Sequence, residues 1–280
     1  MGTLYIVATP IGNLEDITKR AIKTLKEVDI ILCEDTRHSL KLLNHYEIKN
    51  KLISYHKFNE TERTTTIINY LKQEKNIALI TDAGTPCISD PGYILIKEAK
   101  TNNINTVPIG GISALVTALS ISGLNTNNFT FYGFFPRETK QKKELIKNIK
   151  TSNINTFVFY ESPKRIIKTL EYIEQNLDNI KISLSSDLTK LHEKNYYGQI
   201  KQVITELKAN ENATKGEYTF VIEKDYIEKQ ETNLSLEAQL IDIAIKNNTS
   251  LKEAINILNE TTNYKKKDIY NANINLKNIK

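Results

Sequence analysis

Three glycine-bearing stretches each sit directly behind an apolar run: TPIGN (9–13), TDAGTPCISDPG (81–92) and PIGGISA (108–114). Each adds a hydroxyl or a carboxylate to its glycine. Glycine lets the backbone come close to a ligand, and the amides that open a helix suit a carboxylate. Asp82, at the tip of its run, can accept hydrogen bonds from hydroxyl or amine donors. Any one of these loops also fits a tight strand-to-helix turn with a capping aspartate. Three of them on one edge of a parallel sheet favour a ligand site, because open α/β sheets bind ligands there. No G-x-G-x-x-G follows the first run and no G-x-x-x-x-G-K-[ST] occurs, which argues against the usual dinucleotide and ATP loops. A ligand carrying adenosine, a carboxylate and an amine but no phosphates suits such loops, and S-adenosylmethionine is one.

Four further stretches carry reactive groups. CEDTRHS (33–39) offers Glu34 or His38 as a general base and Arg37 as a phosphate ligand. Read alone, it fits better a solvated helix start with acids near the positive dipole end. FYESPKR (159–165) brings Tyr160 for stacking, Glu161 at a strand tip, and Lys164 and Arg165 behind Pro163; LTKLHE (188–193) adds Lys190, His192 and Glu193. A lysine and a glutamate from different segments can meet at an alcohol that must lose its proton. RETKQKKELIKNIK (137–150) follows the aromatic YGFF. It could contact RNA phosphates, although a basic helix is more often a solvated face.

These residues need a scaffold, and the hydropathy pattern supplies one. LYIVAT (4–9), DIILC (29–33), LISY (52–55), IALIT (77–81) and INTVPI (104–109) read as strands, separated by helical segments at 16–28, 60–74, 91–99 and 113–121. Alternation of this kind implies βαβ units and a mostly parallel sheet. The second half is mixed, with strands at 128–135, 156–161, 181–186, 196–200 and 218–223 close enough for some antiparallel pairing. A polar link, KDYIEKQETN (224–233), leads to a helical remainder in which Ser250 and Glu253 form a capping box and a last helix opens near Lys265 to Asp268. The three helices resemble a small helix-turn-helix module. The expected domains are 1–117 and 118–226, both α/β, and 234–280.

Composition sets the outer bounds. The 10 glycines and 6 prolines fall mostly in the loops just named, and neither type occurs after Gly216. Cys33 and Cys87 cannot form a disulfide framework and lack metal-ligand spacing, so no metal is expected and a reducing, cytoplasmic setting is. No apolar run approaches the ~20 residues of a membrane span. The net charge of +5 does not by itself decide the partner.

Taken in order, TPIGNLEDIT, CEDTRHS, LISYHKFNE, DAGTPCISDPG, FYESPKR, LTKLHE and KGEYTFVIE resemble the small-subunit ribosomal RNA 2′-O-methyltransferases of the tetrapyrrole methylase superfamily. The resemblance runs from Leu4 to about Glu223. It implies two α/β domains with S-adenosylmethionine between them, a homodimer, and methylation of a cytidine ribose in the decoding region of 16S rRNA. It assigns the cofactor to Pro10 and Gly12, to Asp82, Ala83, Gly84 and Thr85, to Gly111, Ser113 and Ala114, and to Leu188 and Gly216 from the second domain. Two positions depart from the family pattern: Gly110 stands where proline is usual, and Ser186-Asp187 where Arg-Glu is usual. The expected chemistry is in-line methyl transfer without a metal. Glu161 or Glu34 is the base, and Lys190 and Arg37 steady the alkoxide or grip phosphate. Its rivals are methylation of a tetrapyrrole ring carbon and an RNA-binding protein whose catalysis has decayed.

Overall fold

The computed structural model describes residues 1–224, 234–262 and 264–277. The first half builds a five-stranded parallel sheet in the order β3-β2-β4-β1-β5, from β1 (Leu4–Val7), β2 (Ile30–Cys33), β3 (Lys51–Ser54), β4 (Ile77–Leu79) and β5 (Thr106–Ile109). Every residue of β2 and β4 is buried, as a parallel sheet covered on both faces requires. Helices α1 (Lys19–Glu27) and α2 (Thr36–His45) cover one face through Ala21, Leu25 and Leu43. Helices α3 (Glu60–Lys72) and α4 (Tyr93–Thr101) cover the other through Ile67, Leu71, Leu95 and Ala99. Each fully buried Ile or Leu contributes about 1.5–3 kcal/mol.

Local chemistry fixes the helix starts. Thr18 caps α1 by accepting the Ala21 N–H at 3.0 Å, and Asp35 caps α2 by accepting that of Arg37 at 2.9 Å; such caps are worth about 1 kcal/mol. Helix α4 departs from the segment expected over 91–99. It begins at Tyr93, and the Glu60 carboxylate of α3 accepts the N–H groups of Gly92 (2.9 Å) and Ile94 (3.3 Å).

The second sheet is mixed, in the order β6-β7-β10-β8-β9. It comprises β6 (Phe129–Phe134), β7 (Thr156–Glu161), β8 (Ile180–Ser186), β9 (Lys194–Gln199) and β10 (Tyr218–Lys224). Only the β6–β7 pair is parallel among its described pairings; β10 runs antiparallel to both β7 and β8, and β8 to β9. One face packs on α6 (Thr139–Thr151), α7 (Ile166–Asn176) and α8 (Ile200–Lys208) through Phe157, Phe159 and Phe220. The other face, through Val158 and Val221, packs on α5 (Ala114–Ile121) and on Ile11 and Leu188. Helix α8 is not foreshadowed in the sequence: the strand read over 196–200 ends at Gln199, and Ile200 opens a helix.

Both sheets belong to one compact unit, Met1–Ile149 with Ile154–Lys224; a second unit contains Lys150–Asn153 and the C-terminal helices. That second unit holds α9 (Leu236–Lys246), α10 (Leu251–Thr261) and α11 (Lys266–Lys277) around Leu240, Ala254, Leu258 and Ile269. The capping box at Ser250 and Glu253 is present as expected. The polar stretch read as a linker lies, beyond Lys224, outside the described residues. No helix among the described residues is long and apolar enough to cross a membrane.

Candidate functional site

The loops that follow β1, β4 and β5 lie side by side because those strands are neighbours in the sheet. The first two are also tied directly. Thr9 and Gly84 exchange backbone hydrogen bonds of 2.9 and 3.1 Å, and the Thr9 hydroxyl donates to the Thr81 carbonyl at 3.1 Å. This holds Pro10 and Gly12 beside Asp82, Ala83, Gly84 and Thr85. The third loop joins through Ala8, whose N–H donates to the Ile109 carbonyl at 3.1 Å, and Thr18, whose hydroxyl donates to the Gly110 carbonyl at 3.4 Å. Gly111, Ser113 and Ala114 thus belong to the same edge.

The second sheet reaches this edge at two places. Tyr160 of β7 lies beside Ser113 and Leu115 at the start of α5; burial raises its phenol pKa and Asp90 adds to the shift, while Leu115 and Ser113 partly offset it. The turn after β8 meets the first loop: the Asn13 N–H donates to the Thr189 hydroxyl at 3.2 Å. A Cβ on Gly12 would overlap Lys190 Cγ and lie 3.1 Å from the Leu188 carbonyl oxygen, so only glycine allows that contact.

Lys190 is held from both sides. Its ammonium donates to Asp187 Oδ1 and to Glu217 Oε2, each at 3.0 Å. Burial by itself would lower its pKa, but Glu217 and Asp187 outweigh that and raise it. Asp187 stands with φ at +52°, and its carboxylate fills the space a Cβ on Gly216 would take. The acid at 187, where the family pattern has one a methylene longer, therefore has a defined job here. It neutralises Lys190 and relies on Gly216 for room.

Glu34, Asp82 and Asp90 gather at the ends of β2 and β4. Burial raises the Glu34 pKa first, and the charges of Asp82 and Asp90 raise it further. Burial likewise raises Asp90, with Asp82 adding. The Asp35 N–H donates to Asp82 Oδ1 at 3.3 Å. The carboxylates do not converge closely enough to hold a metal ion, and no such group exists among the described residues. Asp90 is not among the residues singled out from the sequence, so its place in this cluster is new. Arg37 is 88 % exposed and forks onto Asp35 at 3.3 and 3.0 Å, which holds the Asp35 carboxyl at about 2.

Glu161 is not among these groups. Successive strand residues face opposite ways, so Tyr160 looks toward α5 and Glu161 toward α7. Its side chain is closed to solvent and ion-pairs with Arg165 at 3.0 Å. Ser162 N–H and the Thr169 hydroxyl donate to it, each at 2.7 Å. Arg165 in turn donates to the Phe135 and Pro136 carbonyls at 2.7 and 3.1 Å. This network braces the end of β6 and leaves Glu161 no free acceptor facing the loops. His38 and His192 are exposed. The basic helix α6 buries Leu145, Ile146 and Ile149, while Lys142 sits 5.2 Å over the Tyr172 ring.

A parallel sheet coupled to a mixed sheet through ligand-type loops defines a class, and the sequence agrees with it. Residues 3–204 match the model of the Tetrapyrrole (Corrin/Porphyrin) Methylases, and the chain belongs to that family. Among its relatives, the Ribosomal RNA small subunit methyltransferase I of Halalkalibacterium halodurans is 42% identical over 275 residues, spanning 96% of this chain and 94% of that one. The protein of the same name from a Hydrogenobaculum species is 45% identical over 230 residues, spanning 82% of this chain and 99% of its own. A solved uroporphyrin-III C-methyl transferase from Thermus thermophilus, complexed with S-adenyl homocysteine, shares the fold. Its TM-score is 0.55 at 14% identity, over 79% of this chain and 97% of that one. The resemblance carried by the motifs thus extends over nearly the whole chain.

Proposed function

We propose that this protein transfers a methyl group from S-adenosylmethionine to the 2′-hydroxyl of a decoding-region cytidine in 16S rRNA, within the small ribosomal subunit, as a cytoplasmic homodimer. The substrate reading is carried by the identity to the Halalkalibacterium protein, which spans 96% of this chain. The residues present suit the cofactor. Backbone groups of three loops and the Asp82 carboxylate can take its hydroxyl and amine donors. The gathered charges of Glu34, Asp82 and Asp90 complement a cationic sulfonium and would repel a polyphosphate.

When bound, S-adenosylmethionine supplies an electrophilic methyl group. Glu34 is the proton acceptor in this reading: it takes the 2′-hydroxyl proton as the oxygen forms its bond to the methyl carbon and the carbon–sulfur bond breaks. Its raised pKa brings it closer to the working pH, where a base is most effective. Arg37, exposed at the start of α2, is placed to turn from Asp35 to a phosphate of the RNA. Lys190 and Asp187 act by position, fixing the Leu188–Lys190 turn against Gly12 so that both sheets contribute to one site. Holding donor and acceptor in line can contribute ~7–11 kcal/mol.

The test is substrate choice: purified protein with labelled S-adenosylmethionine is offered unmodified small ribosomal subunits or a tetrapyrrole. Label entering the RNA alone supports the proposal, and label entering the tetrapyrrole ring refutes it.

A further inference from the structure

The stretch LISYHKFNE (52–60) is among the motifs of the resemblance, yet none of its side chains takes part in the site described above. It runs from β3 through a short loop into α3. Strands β2 and β3 pair in parallel with Cys33 opposite Ser54, and the Tyr55 N–H donates to the Cys33 carbonyl at 2.8 Å. Neighbouring strands lie about 4.8 Å apart, so this loop leaves the ligand edge directly beside Glu34. Burial and the charges of Asp82 and Asp90 raise the Glu34 pKa, and His56 is close enough to offset part of the rise.

The loop is tied down, and still it offers an aromatic ring to solvent. The Asn59 side chain accepts the His56 N–H at 2.8 Å and donates to the Ser54 carbonyl at 3.2 Å. The His56 carbonyl accepts the N–H groups of Asn59 and Glu60, each at 2.9 Å, and the His56 ring accepts that of Phe58 at 3.3 Å. Tyr55 turns into the core, and the Glu60 carboxylate turns to the Gly92 and Ile94 N–H groups. Phe58 is left 94% exposed, the most exposed large apolar side chain among the described residues. Its ring centroid lies 6.1 Å from that of His56 at 66°, an edge contact and not a stack.

We infer that Phe58 is a stacking platform for an unpaired base of the RNA substrate, on a nucleotide neighbouring the one that is methylated. The inference rests on the RNA reading given above. Position names the occupant: a ribose brought to Glu34 draws its neighbouring nucleotides across the loop alongside. A nucleotide that reacts inside a folded RNA must leave its stack, and splayed bases are held on aromatic faces. The ring needs no charge for this, since every base has a flat face. A loop already fixed before binding also loses little freedom when the base arrives.

The test is steady-state methylation of unmodified small subunits with labelled S-adenosylmethionine, comparing the full-length protein with Phe58→Ala, Phe58→Leu and Phe58→Tyr. Phe58→Ala is expected to raise KM for subunits by roughly 5- to 150-fold, with a much smaller change in kcat. Phe58→Leu, which keeps an apolar side chain without a flat ring, should lose nearly as much. Phe58→Tyr, which keeps the ring, should restore KM. Tm and S-adenosylmethionine affinity should not move in any of them, because so exposed a side chain packs on little. An unchanged KM for Phe58→Ala with an active wild type would overturn this inference alone. Recovery of KM by Phe58→Leu would also overturn it, pointing to an apolar contact with a protein instead. So would a raised KM that accompanies a change in oligomeric state, which would assign Phe58 to a contact between copies. A wild type that methylates no RNA would remove the function itself, and the platform with it.

Discussion

Replacing Lys190 by methionine separates two roles for that lysine. Methionine keeps an unbranched stem against Gly12 and removes the ammonium that donates to Asp187 and Glu217 at 3.0 Å each. The Glu217 side chain is 69% exposed, so its pairing is worth only ~0.2–1 kcal/mol. The Asp187 side chain is 19% exposed, and stranding a largely buried carboxylate costs ~1–3 kcal/mol. The expected loss is therefore ~1–4 kcal/mol, or a fall in Tm of roughly 2–4 °C per kcal/mol for a unit of this size. A loosened turn at Leu188 should also weaken S-adenosylmethionine binding, read by calorimetry, while kcat at saturation falls by less than about tenfold. Lys190→Arg should restore part of both. Unchanged stability with kcat reduced by ~10²–10³, the scale of losing a donor to the reacting oxygen, would refute the positioning role.

Glu34→Gln should leave RNA binding intact, weaken S-adenosylmethionine binding modestly through the lost charge, and slow single-turnover transfer at saturating cofactor by about 10²–10⁴; a normal rate would dismiss it as the base. The wild-type rate should rise with pH through a pKa above the usual carboxylate range, since burial and then Asp82 and Asp90 raise that of Glu34. The same shift fixes the sign for stability. A carboxyl with a raised folded pKa favours the fold below its unfolded pKa, and that contribution is lost as pH rises through the folded value. Glu34→Gln should therefore raise Tm slightly at neutral pH, and a fall would contradict the clustering of acids. Asp82→Ala should weaken S-adenosylmethionine binding by about 1.5–3 kcal/mol and shift the acid limb downward; unchanged affinity by calorimetry would end its role. Glu161→Gln should act on the fold, costing ~3–5 kcal/mol of stability through the broken pair with Arg165, read as a fall in Tm. Intact stability with abolished transfer would return it to catalysis. Gly12→Ala should lose cofactor affinity because its Cβ overlaps Lys190. Gly110→Ala, whose Cβ meets nothing within 4 Å, should be neutral or stabilise by about 0.4–1 kcal/mol in thermal melts.

The elements of the parallel sheet are legible because their signals are local. Runs such as Ile30–Cys33 and Ile77–Leu79 are apolar throughout, and the glycine loops behind them mark the ligand edge. Helix α8 escapes because Ile200, Val203, Ile204 and Thr205 are β-branched and follow a strand without a turn signal. The start of α4 is misplaced since its cap, Glu60, lies 32 residues upstream. The site divides in the same way. The loop residues can be named from their motifs, whereas the pairing of Lys190 with Glu217 spans 27 residues and carries no spacing signature. Glu161 is the instructive case. The alternation in TFVFYE already sends Tyr160 and Glu161 to opposite faces, and what the sequence does not show is which face meets the loops.

The most direct measurement is methyl transfer from labelled S-adenosylmethionine to small subunits lacking the modification, with the product mapped by RNA mass spectrometry. The account predicts one methyl group on the ribose 2′-oxygen of a decoding-region cytidine. Label on a base or at another site, or no transfer while both cofactor and subunit bind, would contradict it.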